Sequence, residues 1–168
     1  MIERSSSKSG RAAVHVIAEP IRRCVEAVFS RPERLAGKGS PDLSRALPGT
    51  VLREPAARLG LHYAPLRWLF IEPDEGYLSS TLIEAHLFEV SGKWRQLRLE
   101  GNDAWRALSS GCDPDTALAD RGCARLSLFD CPTIVVRLDG TFTLCVEASY
   151  APSLQGAIEK LNLRQHEG

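Results

Sequence analysis

This sequence has no stretch approaching the roughly 18 consecutive apolar residues that a membrane-spanning helix needs, so no span is predicted. It has no excess of either charge: 21 Lys and Arg balance 21 Asp and Glu across 168 residues. Binding to nucleic acid or an anionic membrane draws on a basic surplus that releases counterions. Both classes are disfavoured. The balance conceals an asymmetry, with 11 basic and 6 acidic side chains in residues 1–60 against 10 and 15 in the remainder. That division reads as charged surface facing a partner or solvent. A chain of zero net charge is also poorly protected against association, which favours life inside a complex. The opening residues, MIERSSSKSGR, lack the apolar core of a secretory leader. Motifs are equally scarce: there is no CxxC, no Cys/His cluster at zinc spacing, no GxGxxG, P-loop, GxSxG or HExxH. The cysteines, Cys24, Cys112, Cys123, Cys131 and Cys145, are odd in number and scattered among apolar neighbours. They read as buried reduced thiols of a cytoplasmic protein.

What is present is the patterning of one domain over 14–168, preceded by a flexible tail over 1–13. In PIRRCVEAVF, Pro20 suits a first helical turn, and Ile21, Cys24, Val25 and Val28 recur at i, i+3, i+4, i+7. A helix is predicted there, with Arg22, Arg23 and Glu26 on its outer side. Residues 31–50, with three prolines and three glycines, read as an irregular loop. LRWLFIE at 66–72 reads as a strand, ended by turn chemistry at Pro73-Asp74-Glu75-Gly76. AHLFEV at 85–90 and WRQLRLE at 94–100, joined through Ser91-Gly92, read as a hairpin. Asn102 is the expected N-cap of a short helix carrying Trp105 and Leu108 inward, with Gly111 just past its end. Asp113-Pro114 opens a second short helix through Leu118. Ala124, Leu126 and Leu128 alternate in a strand, and Asp139-Gly140 joins TIVVRL to TFTLCVEA as a type I′ hairpin. Ser149 is the expected cap of a closing helix whose buried stripe is Leu154, Ala157, Ile158 and Leu161. Hairpins with interspersed helices predict an α+β fold, an antiparallel sheet covered by helices.

Candidate chemistry is sparse. His86 alternates with Phe88 and Val90 and reads as a half-buried, hydrogen-bonded residue. His166 lies in a polar tail, and His15 and His62 have no acidic or thiol partner at a telling spacing, although partners from distant segments meet only in space. Asp113 and Asp115 suggest a metal or acid/base pair, against the simpler reading of a helix cap and a solvated first turn. Trp68 reads as core. Trp94 and Trp105, each weighed first as core edge, are together with Tyr150 the candidate aromatic anchors of a subunit interface. No catalytic, cofactor-binding or metal-ligating residue is assigned.

From residue 66 to 163 the sequence resembles a family. Val90-Ser91 with Trp94, Leu97-Arg98-Leu99-Glu100-Gly101, Gly111-Cys112-Asp113, Cys123-Ala124-Arg125 and Ser149-Tyr150-Ala151 follow one another in its order and spacing, after Pro73-Asp74-Glu75. The family is the gamma subunit of heterotetrameric sarcosine oxidase, with the related small subunit of N-methylglutamate dehydrogenase. Gly76, Asn102 and Leu126 stand where the family usually has Trp, Pro and Thr or Ser. The resemblance implies a fold similar to the folate-binding domain of the glycine-cleavage aminomethyltransferase. It also implies a cytoplasmic subunit without catalytic residues of its own, supporting alpha, beta and delta partners. FAD, FMN, NAD, tetrahydrofolate and zinc are then expected in those other subunits, and the parent reaction is oxidative demethylation of sarcosine or a similar N-methyl amino acid. The alternatives are a free-standing folate-binding or aminomethyl-transferring module, which needs a carboxylate in a pterin pocket, and a scaffold unrelated to amine oxidation.

Overall fold

A computed structural model describes residues 14–30, 48–53, 58–82, 85–119 and 121–164. The sequence expectations for the 1–13 tail, most of the 31–50 loop and His166 lie outside them. In chain order the elements are β1 (His15–Ala18), β2 (Cys24–Phe29), β3 (Val51–Leu52), β4 (Leu59–Ala64), β5 (Arg67–Ile71), α1 (Glu75–Thr81), β6 (Ala85–Glu89) and β7 (Trp94–Glu100). There follow α2 (Ala104–Ser109), α3 (Pro114–Leu118), β8 (Cys123–Leu128), β9 (Cys131–Leu138), β10 (Thr141–Glu147) and α4 (Ala151–Arg164).

The strands form two antiparallel sheets where one was expected. The first runs β1-β7-β10-β9-β8, the second β3-β4-β5-β2-β6. They face each other across a shared layer built from alternate residues: Cys24, Leu61, Leu69 and Ile71 from one, Cys123, Ile134, Val136 and Cys145 from the other. The intervening residues point outward, and each outer face has helical cover. Ala107, Leu108, Leu154 and Ile158 of α2 and α4, with Leu118 of α3, close over Leu97, Leu99, Val135 and Leu144. Tyr77 and Leu78 of α1, with Leu82, close over Val25, Ala27, Trp68 and Phe70. The fold is α+β, as expected.

The segment predicted as the first helix is the interior strand β2, between β5 and β6. Its residues alternate between the two apolar layers, Cys24 and Glu26 inward between the sheets, Val25 and Ala27 outward beneath α1. A strand buried on both faces loses the polar half of its period, and its apolar spacing then matches a helical template by accident. The β6–β7 hairpin is also overturned. β6 pairs with β2, whereas β7 pairs with β1 and β10. The connection over 91–93 carries the chain from one sheet to the other, held by the Ser91 hydroxyl, which accepts from the Cys24 N–H at 2.8 Å.

Local signals did better. Asp139 and Gly140 both have positive φ, +49° and +81°, as a type I′ turn demands. Asp113 caps α3, accepting from the Thr116 N–H at 3.2 Å. Asp74 caps α1 by accepting from the N–H groups of Gly76 and Tyr77, so the expected turn is a helix start. Asp103, not Asn102, precedes α2, and Tyr150, not Ser149, directly precedes α4, its carbonyl accepting from Leu154 N–H. Gly111 is not left-handed; a Cβ there would meet Leu128 at 2.7 Å and the Phe129 ring at 2.9 Å. Phe129 and Asp130 form a second two-residue turn with positive φ and no glycine, which no sequence signal marked.

Candidate functional site

The thiols are chemically quiet. All five cysteines are free, and all but half-buried Cys112 are buried. Burial pushes the Cys24 thiol up to about 11 and Cys123 up to about 12, and raises Cys145 still further. Only a thiolate attacks or ligates well, so these side chains act as small apolar residues at neutral pH. Among the described residues no three His, Cys, Asp or Glu side chains stand together as a metal site. His15 is exposed, and so is His86, half-buried in expectation, whose Nε2 lies 3.3 Å from the Ser30 hydroxyl. His62 is buried and stacks flat on Trp68, with ring centroids 4.7 Å apart. Asp113 spends its carboxylate on Thr116, which holds its pKa below the usual range.

The aromatic anchors are not brought together. Trp94 lies within the inter-sheet core at 5% exposure, its ring edge-on to Tyr63. Trp105 is half-buried against Phe142, with the Arg137 guanidinium 5.7 Å from its ring centre. Tyr150 is exposed at the start of α4.

Between the sheets lies a polar centre that sequence reasoning missed. Glu26, 6% exposed, accepts a hydrogen bond from the Tyr63 hydroxyl and one at 3.0 Å from the half-exposed Arg67 guanidinium. Burial first, then the Glu26 hydrogen bond and charge, raise the Tyr63 hydroxyl to about 12. Arg125 lies 5.7 Å from the Tyr63 ring centre. A buried carboxylate needs such partners, and this one fixes β2, β4 and β5 against each other. The helical assignment had put Glu26 in solvent, and strand alternation is the signal that would have found it.

Two surfaces stand apart from this closed interior. Among the described residues β6 is an edge strand, bonded only on its β2 side, and His86, Leu87, Phe88 and Glu89 are all exposed. Leu87 and Phe88 project from opposite faces of the strand at 42% and 51% exposure, so neither α1 nor the first sheet covers it. Ile21, at 65%, is the other strongly exposed large aliphatic side chain of the described residues. The second surface is a cleft of about 400 Å³ at one end of the inter-sheet layer, rimmed by Arg22, Arg53 and Arg58.

No family model and no curated protein sequence matches this chain. Among solved structures it is similar to a chain of the heterotetrameric sarcosine oxidase from Corynebacterium sp. U-96, in complex with pyrrole 2-carboxylate. The TM-score is 0.64 at 17% identity, covering 89% of this chain and 85% of the other. At that identity the likeness is one of fold: nearly the whole of this chain is built like a chain of that oxidoreductase complex.

Proposed function

We propose that this protein is the gamma-type, non-catalytic subunit of a sarcosine-oxidase-like complex that oxidatively demethylates sarcosine or a similar N-methyl amino acid. The observation that carries the reading is the fold likeness, which spans 89% of one chain and 85% of the other. Because it takes in most of both, the counterpart is a subunit of about this chain's own size. The ordered motifs over residues 66–163 point to the gamma subunit of that enzyme and, through it, to the folate-binding-domain fold. The protonated thiols and the uncovered apolar edge at β6 suit an assembly role. On this reading alpha, beta and delta subunits hold FAD, FMN, NAD, tetrahydrofolate and zinc.

The test is affinity capture of the tagged chain from its native extract, followed by size-exclusion chromatography, mass spectrometry and a visible spectrum. The expected result is a yellow complex far above 18.5 kDa that contains large flavoprotein chains and oxidises sarcosine or a related secondary amine. A colourless monomer that emerges alone overturns the reading, and saturable tetrahydrofolate binding by that monomer would favour a free-standing folate module instead.

A further inference from the structure

The cleft at the end of the inter-sheet layer is assembled from separate segments of the chain. Arg22 precedes β2, Arg53 follows β3, Arg58 precedes β4, and Gln96 reaches in from β7 in the opposite sheet. Its floor is apolar, made by Leu59, Ile71 and Leu138. A volume of about 400 Å³ with an apolar lining and a few convergent polar groups is the general form of a small-molecule site.

The charges around it are unevenly matched. Arg22 is engaged by Glu72 at 3.0 Å and Glu19 at 3.3 Å. Arg53 makes a bidentate pair with Asp139 at 3.0–3.1 Å. Arg58 is different: among the described residues no carboxylate or carbonyl meets its guanidinium. Two buried donors of the lining residues are also underused. The Arg22 Nε is buried without a hydrogen bond, and the nine-tenths-buried Gln96 amide reaches only the Cys24 sulfur, at 4.0 Å.

Backbone conformation points to the same place. Among the described residues six non-glycine residues have positive φ. Leu66, Phe129, Asp130 and Asp139 lie in the tight turns joining paired strands. The remaining two, Arg58 at +51° and Glu72 at +54°, both line the cleft. Such strained residues gather at ligand clamps.

We propose that this cleft binds a small organic acid, a carboxylate on an apolar body of a few carbons. Arg58 takes the carboxylate, Leu59, Ile71 and Leu138 take the body, and the Gln96 amide takes a further polar group. With Arg22 and Arg53 engaged by carboxylates, Arg58 is the one lining guanidinium left to receive a carboxylate, which suits a monoanion. The apolar floor gives a carboxylate with a hydrocarbon tail an advantage over bare phosphate. The inference goes beyond the subunit assignment and stands on the cleft alone, so its failure leaves that assignment untouched.

The experiment is calorimetric titration of the purified full chain with sodium hexanoate, sodium acetate and inorganic phosphate, supported by amide NMR shifts. Hexanoate binds one to one and shifts Gln96 and Leu138, while acetate and phosphate bind at least tenfold more weakly. Arg58→Gln weakens hexanoate at least tenfold. Asp139→Asn, which suits the left-handed turn and frees Arg53, tightens it about threefold. Lys160→Gln, an equal charge change on exposed α4, leaves it unchanged, and circular dichroism confirms that each variant is folded. The proposal is overturned if hexanoate shows no saturable binding, if phosphate or acetate matches it, if affinity in Arg58→Gln or Asp139→Asn equals that of the parent chain, or if Lys160→Gln weakens binding as much as Arg58→Gln.

Discussion

The two sheets are built alike and finished differently. In the first, β7, β10 and β9 form the interior, and α2, α3 and α4 seal the outer face. In the second, the seven-residue α1 is the only helix among the described residues over the outer face, a carboxylate sits in the inner layer, and β6 is exposed from His86 to Glu89. The first sheet is therefore the more fully covered of the two. The second carries the features that stability alone does not require: a paired buried charge, a cleft at its rim and an open edge. An uncovered edge strand with apolar side chains is a liability that isolated proteins avoid, and under the proposed function a partner subunit would cover it.

The largest effects should fall in the first sheet. Leu144 on β10 is fully buried beneath the helices. Leu144→Ala removes its packing and leaves a cavity, and denaturant unfolding should show a loss of about 2–5 kcal/mol. A loss below about 1 kcal/mol would mean that the helix-covered face collapses readily, which would erase the contrast between the sheets.

The polar centre of the second sheet comes next. In Glu26→Ala, Arg67 is half-exposed and regains water, whereas the buried Tyr63 hydroxyl loses its acceptor. The cost should therefore be that of one orphaned buried hydroxyl, about 1–3 kcal/mol. It should fall short of the about 3–5 kcal/mol of a fully buried broken ion pair. Glu26→Gln keeps an acceptor for Tyr63 and should lose less. The same inner layer sets the alkaline limit of stability. Tyr63, Cys24 and Cys123 have folded pKa values raised to about 12, 11 and 12, from ordinary values of 10, 9 and 9. The unfolded chain thus releases these protons first, and stability should fall as pH rises from about 9 to about 12, being complete below that window. Chemical unfolding at stepped pH measures this, and a flat profile would show that water already reaches the layer.

How much of this was legible from the sequence depended on range. The Asp139-Gly140 turn and the Asp113 cap are written in adjacent residues, and both stand as read. β2 was misread because burial on two faces removes the polar alternation that identifies a strand, and with it went Glu26. The β6–β7 connection looked like a hairpin because Ser91-Gly92 suits one, yet pairing is decided by β2 and β10, far away in sequence. The cleft was illegible for the same reason: Arg22, Arg58, Gln96 and Leu138 are neighbours only in the folded chain. Phe129-Asp130 adopts the turn conformation without its usual residues, with Phe129 and Leu128 packed close against Gly111.

A smaller effect tests the thinner cover of the second sheet. Asp74 is the N-cap of α1, and Asp74→Ala removes its bonds to Gly76 and Tyr77 N–H. The expected loss is about 1 kcal/mol. Because α1 lies over Trp68 and Phe70, loosening should also redden and quench tryptophan emission before global unfolding. Emission unchanged up to the main transition would show that α1 is held by packing rather than by its cap.

The smallest effect on the isolated chain should be the most informative. Phe88 is 51% exposed on the free edge strand, and Phe88→Ser removes little that the chain itself buries. Its unfolding free energy should move by no more than about 0.5 kcal/mol, as for surface changes away from special features. Within the proposed complex the same substitution should weaken association by about 2 kcal/mol or more, roughly 30-fold, if Phe88 is an anchor at the partner's surface. Leu87→Ser, on the opposite face, separates the ways of covering β6. A partner strand added along the edge would bury both side chains, and both substitutions should then weaken assembly. A partner lying against one face would make only one of them matter. Intact assembly in the double variant would return β6 to the status of a tolerated edge and move the search for the interface to Trp105 and Tyr150, at the other sheet.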